Sequence, residues 1–164
     1  MKRVVTAAEA AAVVAYALWG MVVVNDLGLV AGSGMSLDEA ILAMDASGQP
    51  VSMIPGRLFL VAGIALAAAW TIIAPRRLDL GACEVTLGWC VALTLGAPAY
   101  FAASFWNLMS LADTFYDGNM DAVVALGRPL YVVSTTALTG AIALAVLRPA
   151  GGRRMSHLPA STRA

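Results

Sequence analysis

The chain has 164 residues, 60% hydrophobic and 12% charged, with ten basic and ten acidic side chains that cancel. A soluble domain usually carries about 25% charged residues, so this composition excludes an ordinary soluble fold. The neutral balance offers no basic surface for nucleic acid.

A membrane helix needs roughly 20 mostly apolar residues. Four segments answer to that, at about 4–26, 57–74, 82–107 and 128–147. The expected fold is an all-α membrane protein, a four-transmembrane-helix bundle over residues 1–150, with a disordered cytoplasmic tail at 151–164.

The first segment runs from Val4 to Val24, interrupted by Thr6 and Glu9, and stops at Asn25-Asp26. Its basic start and Ala15-Tyr-Ala17 also fit a signal peptide, but the apolar run continues to Val24, which favours an uncleaved helix. In the third segment, Pro98 should kink the helix and free a carbonyl. In the fourth, Pro129 reads as a first-turn proline and Pro149 falls just past the end.

Lys2, Arg3, Arg76, Arg77, Arg148, Arg153, Arg154 and Arg163 would lie on one side of such a bundle, against Arg57 and Arg128 on the other. Basic loops stay inside, so both termini should face the cytoplasm, in a bacterial inner membrane. The two longer connections then face outward and carry most of the acidic residues.

The halves read alike. Gly56-Arg57 opens the second helix and Gly127-Arg128 the fourth, each half has a glutamate near the start of its first helix, and each second helix leaves through Pro and Arg. A duplication would give two parallel two-helix repeats; the alternative is the general likeness of Ala/Val/Leu-rich hairpins. In the first outer loop, Ser36-Leu-Asp-Glu39 is a capping box. Behind it Leu37, Ile41 and Met44 share one face, which predicts a short amphipathic helix on the outer membrane surface. In the second, Tyr116-Asp-Gly-Asn119 reads as a turn, with a helical run from Met120 to Leu126.

Few groups can carry chemistry. The lone His157 lies in the tail, so haem, zinc and non-haem iron lack imidazole ligands. Cys83 and Cys90 are too far apart on one helix for a disulfide, and Met35, Met44 and Met53 match no copper-binding spacing. No cofactor is expected. Glu9 and Glu84 are candidate intramembrane carboxylates, as proton relays or as interfacial ion-paired acids. The densest polar cluster is on the outer side: Asn25 and Asp26 capping the first helix, Trp106, Asn107 and Asp113 near the end of the third, and Arg57 and Arg128 starting the second and fourth. Two arginines among carboxylates read either as salt bridges that fix the loops or as a polar vestibule for a ligand or partner. Ala62, Ala65 and Ala69, beside Gly63 and Ala67, give the second helix a narrow side for close helix packing.

Two stretches resemble the bacterial predicted small integral membrane proteins classed as domain of unknown function 2165. Leu37-Asp-Glu-Ala-Ile-Leu-Ala-Met-Asp45 is similar to that family's loop segment ending in Met-Asp. Trp106-Asn-Leu-Met109, Thr114-Phe-Tyr-Asp-Gly118 and Ala122 are similar to its Trp-x-Leu-Met and Thr-Trp-Asn-Gly stretch. The family's acidic residue in the second span and the Trp-Gln pair after Leu-Met are missing. The resemblance implies the four-span layout and no particular activity.

The expected function is a non-catalytic accessory or assembly subunit of a larger membrane complex, in contact with the lipid bilayer and with other membrane subunits or copies of itself. The alternatives are a small oligomeric transporter or channel using the intramembrane carboxylates, and a quinone- or lipid-binding membrane enzyme subunit.

Overall fold

The computed structural model describes residues 2–76 and 80–147, with side chains from residue 6 onward. The tail at 151–164, with His157, and the basic residues Lys2, Arg3, Arg77, Arg148, Arg153, Arg154 and Arg163 lie outside these described side chains. Helix α1 spans Lys2–Val22, passes through a π turn at Val23–Leu27 and continues as α2, Gly28–Ser33. Helix α3 spans Leu37–Ala46, α4 Ile54–Ile73 with a 3-10 turn at Ala74–Arg76, α5 Ala82–Thr114 and α6 Met120–Val146.

Four continuous helical stretches are long and apolar enough to cross a membrane: Thr6–Ser33, Ile54–Arg76, Ala82–Thr114 and Met120–Val146. Three are longer than the hydrophobic pattern alone predicts. Asn25-Asp26 does not stop the first helix, which ends at Gly34, where φ is +70° and Gly34 N–H bonds to Val30 O. Pro129 is not in a first turn but inside α6, and α5 runs through Pro98 without a break. At about 1.5 Å per residue the 33 residues of α5 span about 50 Å, well beyond a hydrocarbon core of about 30 Å.

The helices pair as two hairpins, α1 with α4 and α5 with α6, and α1 packs across α5. Small residues set the closeness of the first pair. A Cβ at Gly20 would stand 2.4 Å from the Phe59 ring, and one at Gly63 2.5 Å from Ala17 Cβ. The buried side of α4 is therefore Gly56, Gly63, Ala67 and Ala74, whereas Ala62, Ala65 and Ala69 face outward. At mid-bundle a file of rings, Tyr16, Phe59, Tyr100 and Tyr131, runs with centroid spacings of 6.1, 6.3 and 5.9 Å.

The ends that protrude at the first-loop side are closed by α3. Ala40 and Met44 are fully buried, and Met44 packs with Leu29, Leu111 and Val123. Leu37 and Ile41 lie against the same cluster, so the amphipathic face meets protein and forms a cap. The Ser36 N–H and hydroxyl both donate to Glu39 Oε2, at 3.1 and 2.6 Å, and hold the Glu39 carboxyl below its ordinary range.

Candidate functional site

Two asparagines organise the junction between bundle and cap. A π turn widens the helix by one residue per turn, here with Gly28 N–H bonded to Val23 O. The turn carries Asn25, 4% exposed, whose Nδ2 donates to Met53 O at 3.2 Å. Its amide covers Gly56 so closely that a Cβ there would lie 2.4 Å from Oδ1. That Oδ1 has no hydrogen-bond partner. Asn107, 3% exposed on α5, donates from Nδ2 to Ser52 O at 2.9 Å and to Val24 O at 3.4 Å, and accepts Ser52 N–H at 3.1 Å. The stretch leading into α4 is thus tied to α1 and α5 by side-chain amides. A cavity of about 10 Å³ lies beside the π turn, bounded by Gly28, Tyr100, Ser104 and Asn107 among others, about the room of one water.

The other outer residues do not join this node. Asp26 is half-buried, while Arg57, Trp106, Asp113 and Arg128 are exposed. Neither arginine bonds to a carboxylate among the described residues. The loops are fixed instead by neutral contacts: Ser47 with Thr114 at 3.0 Å, Asn119 N–H to Gly32 O at 2.9 Å, and Asn119 Oδ1 capping α6 through Ala122 N–H at 3.0 Å. Salt bridges are not needed where backbone groups have side-chain partners this close.

The two glutamates differ. Glu9, half-buried on α1, has one carboxylate oxygen, Oε2, shielded and without a hydrogen-bond partner. Glu84 is the third residue of α5, and its Oε2 folds over Gly81, where a Cβ would lie 2.5 Å away. Its negative charge sits well at that helix start. Between them and the cap, Ser134 donates to Leu93 O at 2.7 Å and accepts from the Tyr16 hydroxyl at 3.0 Å.

Sequence reading missed two features. One is the π turn, for which the polar Asn25-Asp26 pair inside an apolar run was the available signal. The other is a cleft of about 440 Å³ between α4 and α5, lined by Leu66, Trp70, Glu84, Trp89, Ala92 and Leu95 among others; nothing in the hydrophobic pattern marks it. Among the described residues no three His, Cys, Asp or Glu side chains converge as metal ligands do.

These elements define a multi-pass helical membrane protein with a small structured cap. Comparison with protein-family models, curated proteins and solved structures finds no match. The short likeness to domain of unknown function 2165 therefore adds nothing to the geometry.

Proposed function

We propose that this chain is a non-catalytic accessory or assembly subunit of a larger complex in a bacterial inner membrane, with both termini on the cytoplasmic side. The observation that carries this reading is the outward face of the α1/α4 hairpin. On α1 it consists of Ala7, Ala8, Ala11, Ala12 and Ala15, and on α4 it includes Ala62, Ala65 and Ala69. By contrast, α5 and α6 expose Val91, Leu95, Phe101, Phe105, Val132, Leu138 and Ile142. Lipid tails fill against large side chains as readily as small ones, whereas small residues four apart let a neighbouring helix backbone approach closely. The cap supports the same reading, because its loops are held by Asn107, Ser47 and Asn119 and present Asp38, Asp45, Asp113, Asp117 and Asp121 on a fixed exposed surface.

Extraction in mild detergent followed by native mass spectrometry tests it. Partner subunits, or further copies of the chain, are expected at fixed stoichiometry, and Ala11→Leu with Ala15→Leu should release them while the helical content stays unchanged. A lone monomer in the mildest detergents, or an assembly indifferent to both substitutions, overturns the reading.

A second reading, a small oligomeric transporter or channel, is favoured by Glu9 Oε2, since a shielded carboxylate oxygen without a partner inside an apolar span is costly and commonly functional. Flux across proteoliposomes that falls in Glu9→Gln would support it, and unchanged flux would remove it.

A further inference from the structure

The cleft between α4 and α5 is built mainly of apolar side chains, Leu66, Leu87, Val91, Ala92 and Leu95, around two indoles and one carboxylate. Trp70 is fastened across the cleft by its N–H to Val85 O at 3.4 Å, and its ring covers Gly88, where a Cβ would stand 2.4 Å from it. Trp89 forms the inner wall and is 2% exposed, locked against Val13 and Ala67. Glu84 closes the end near the start of α5. Among the described residues, none that lines the cleft is basic.

We propose that this cleft binds a lipophilic organic cation, whose apolar substituents fill the space between α4 and α5 while its charge rests between the indoles and the Glu84 carboxylate. Indole faces attract cations through the negative face of the ring, by about 0.5–1 kcal/mol at exposed sites and about 2 or more when desolvated. A carboxylate at the rim acts in the same direction and repels an anion of the same shape. The volume of about 440 Å³ falls in the range of small-molecule sites. Both walls belong to apolar spans, Ile54–Arg76 and Ala82–Thr114, so the route in is sideways, through the bilayer. That restricts the occupant to a cation that partitions into lipid. Gly88 is part of the construction, since any side chain there would displace Trp70.

The test is a titration of the full chain in detergent with tetraphenylphosphonium, read by calorimetry and by tryptophan fluorescence, beside tetraphenylborate as the anion of matching shape. Saturable binding of the cation at one site per chain is expected, at least about tenfold tighter than any binding of the anion. Glu84→Gln should weaken the cation at least about tenfold, and Ala92→Phe, which fills the cleft, should abolish saturable binding. Asp45→Asn, on the exposed cap surface, should leave it unchanged. Equal binding of the two ions, binding that survives both Glu84→Gln and Ala92→Phe, or the absence of saturable binding overturns the proposal. The ion comparison needs only the unaltered chain, so it decides even where a substitution impairs folding. Its outcome is independent of whether the α1/α4 face recruits a partner.

Discussion

Asn107 holds the backbone of Ser52 from both sides, donating to its carbonyl at 2.9 Å and accepting its N–H at 3.1 Å. The amide thereby stands in for a neighbouring strand, satisfying an extended stretch that has no sheet to pair with. Because Asn107 is 3% exposed, neither group of Ser52 can turn to water instead without moving the loop.

Asn107→Leu should therefore destabilise the fold by about 2–4 kcal/mol, the range for two buried backbone groups losing their partners. Asn107→Asp should fall close to it, since it keeps the acceptor but loses the donor to Ser52 O and Val24 O. Thermal unfolding in detergent, with limited proteolysis at residues 47–53, checks this. Wild-type stability in Asn107→Leu would show that the clamp is dispensable.

The bundle's helix contacts predict opposite outcomes for two glycines. Gly63→Ala puts a Cβ 2.5 Å from Ala17 Cβ, which cannot rotate away, so α1 and α4 must separate. A loss of about 1–3 kcal/mol is expected, as for other overpacked contacts. Gly140→Ala meets Cys90 Sγ at 3.6 Å, an ordinary contact, and gains helix propensity. It should be neutral or stabilising by up to about 1 kcal/mol. Denaturant unfolding of the two variants side by side provides the measurement.

The long helices, the start of α3 and its buried face were legible in the sequence because each is a local signal: apolar length, a capping box, a three- and four-residue spacing. Helix ends were less so. Asn25-Asp26 looks like a stop because polar side chains inside an apolar run need partners, and here the partner is Met53 O, 28 residues away. With Asn25 satisfied by that contact, the helix absorbs the position as a π turn and continues. Pro129 misleads for a related reason: the α6 start is set by Asn119, whose cap lies before the apolar run begins. In the outer cluster, residue types pointed correctly to Asn25 and Asn107 as neighbours of a common node, but the charge pattern pointed to arginine pairs, and the loops turn out to be held by uncharged groups.

The Ser36–Glu39 contact predicts a pH response confined to the cap. The Glu39 carboxyl is held below its ordinary value of 4.5 by the Ser36 hydroxyl first and the Ser36 N–H second. A carboxyl with a depressed folded-state value stabilises above the unfolded value and loses that contribution as pH falls through the folded one. Hydrogen exchange at the first turn of α3 should therefore accelerate below about pH 4, while exchange in α4 stays constant. Glu39→Gln should abolish the acid dependence; an unaltered profile in that variant would place its origin in another carboxyl.

Glu9 supplies the clearest separation of stability from function. Its Oε2 is shielded without a hydrogen-bond partner, so the native state carries an uncompensated cost at that atom. Glu9→Leu removes the carboxylate and adds apolar contact beside Ala10 and Val13, both part of or adjoining the cluster around Trp89. The variant should unfold at a higher temperature than the native chain. If Glu9 serves transport, the same substitution abolishes flux in proteoliposomes while raising stability, the pattern of a site that trades stability for activity. A fall in unfolding temperature would show instead that the carboxylate is held by contacts that stabilise the fold, and would remove the main support for the transport reading.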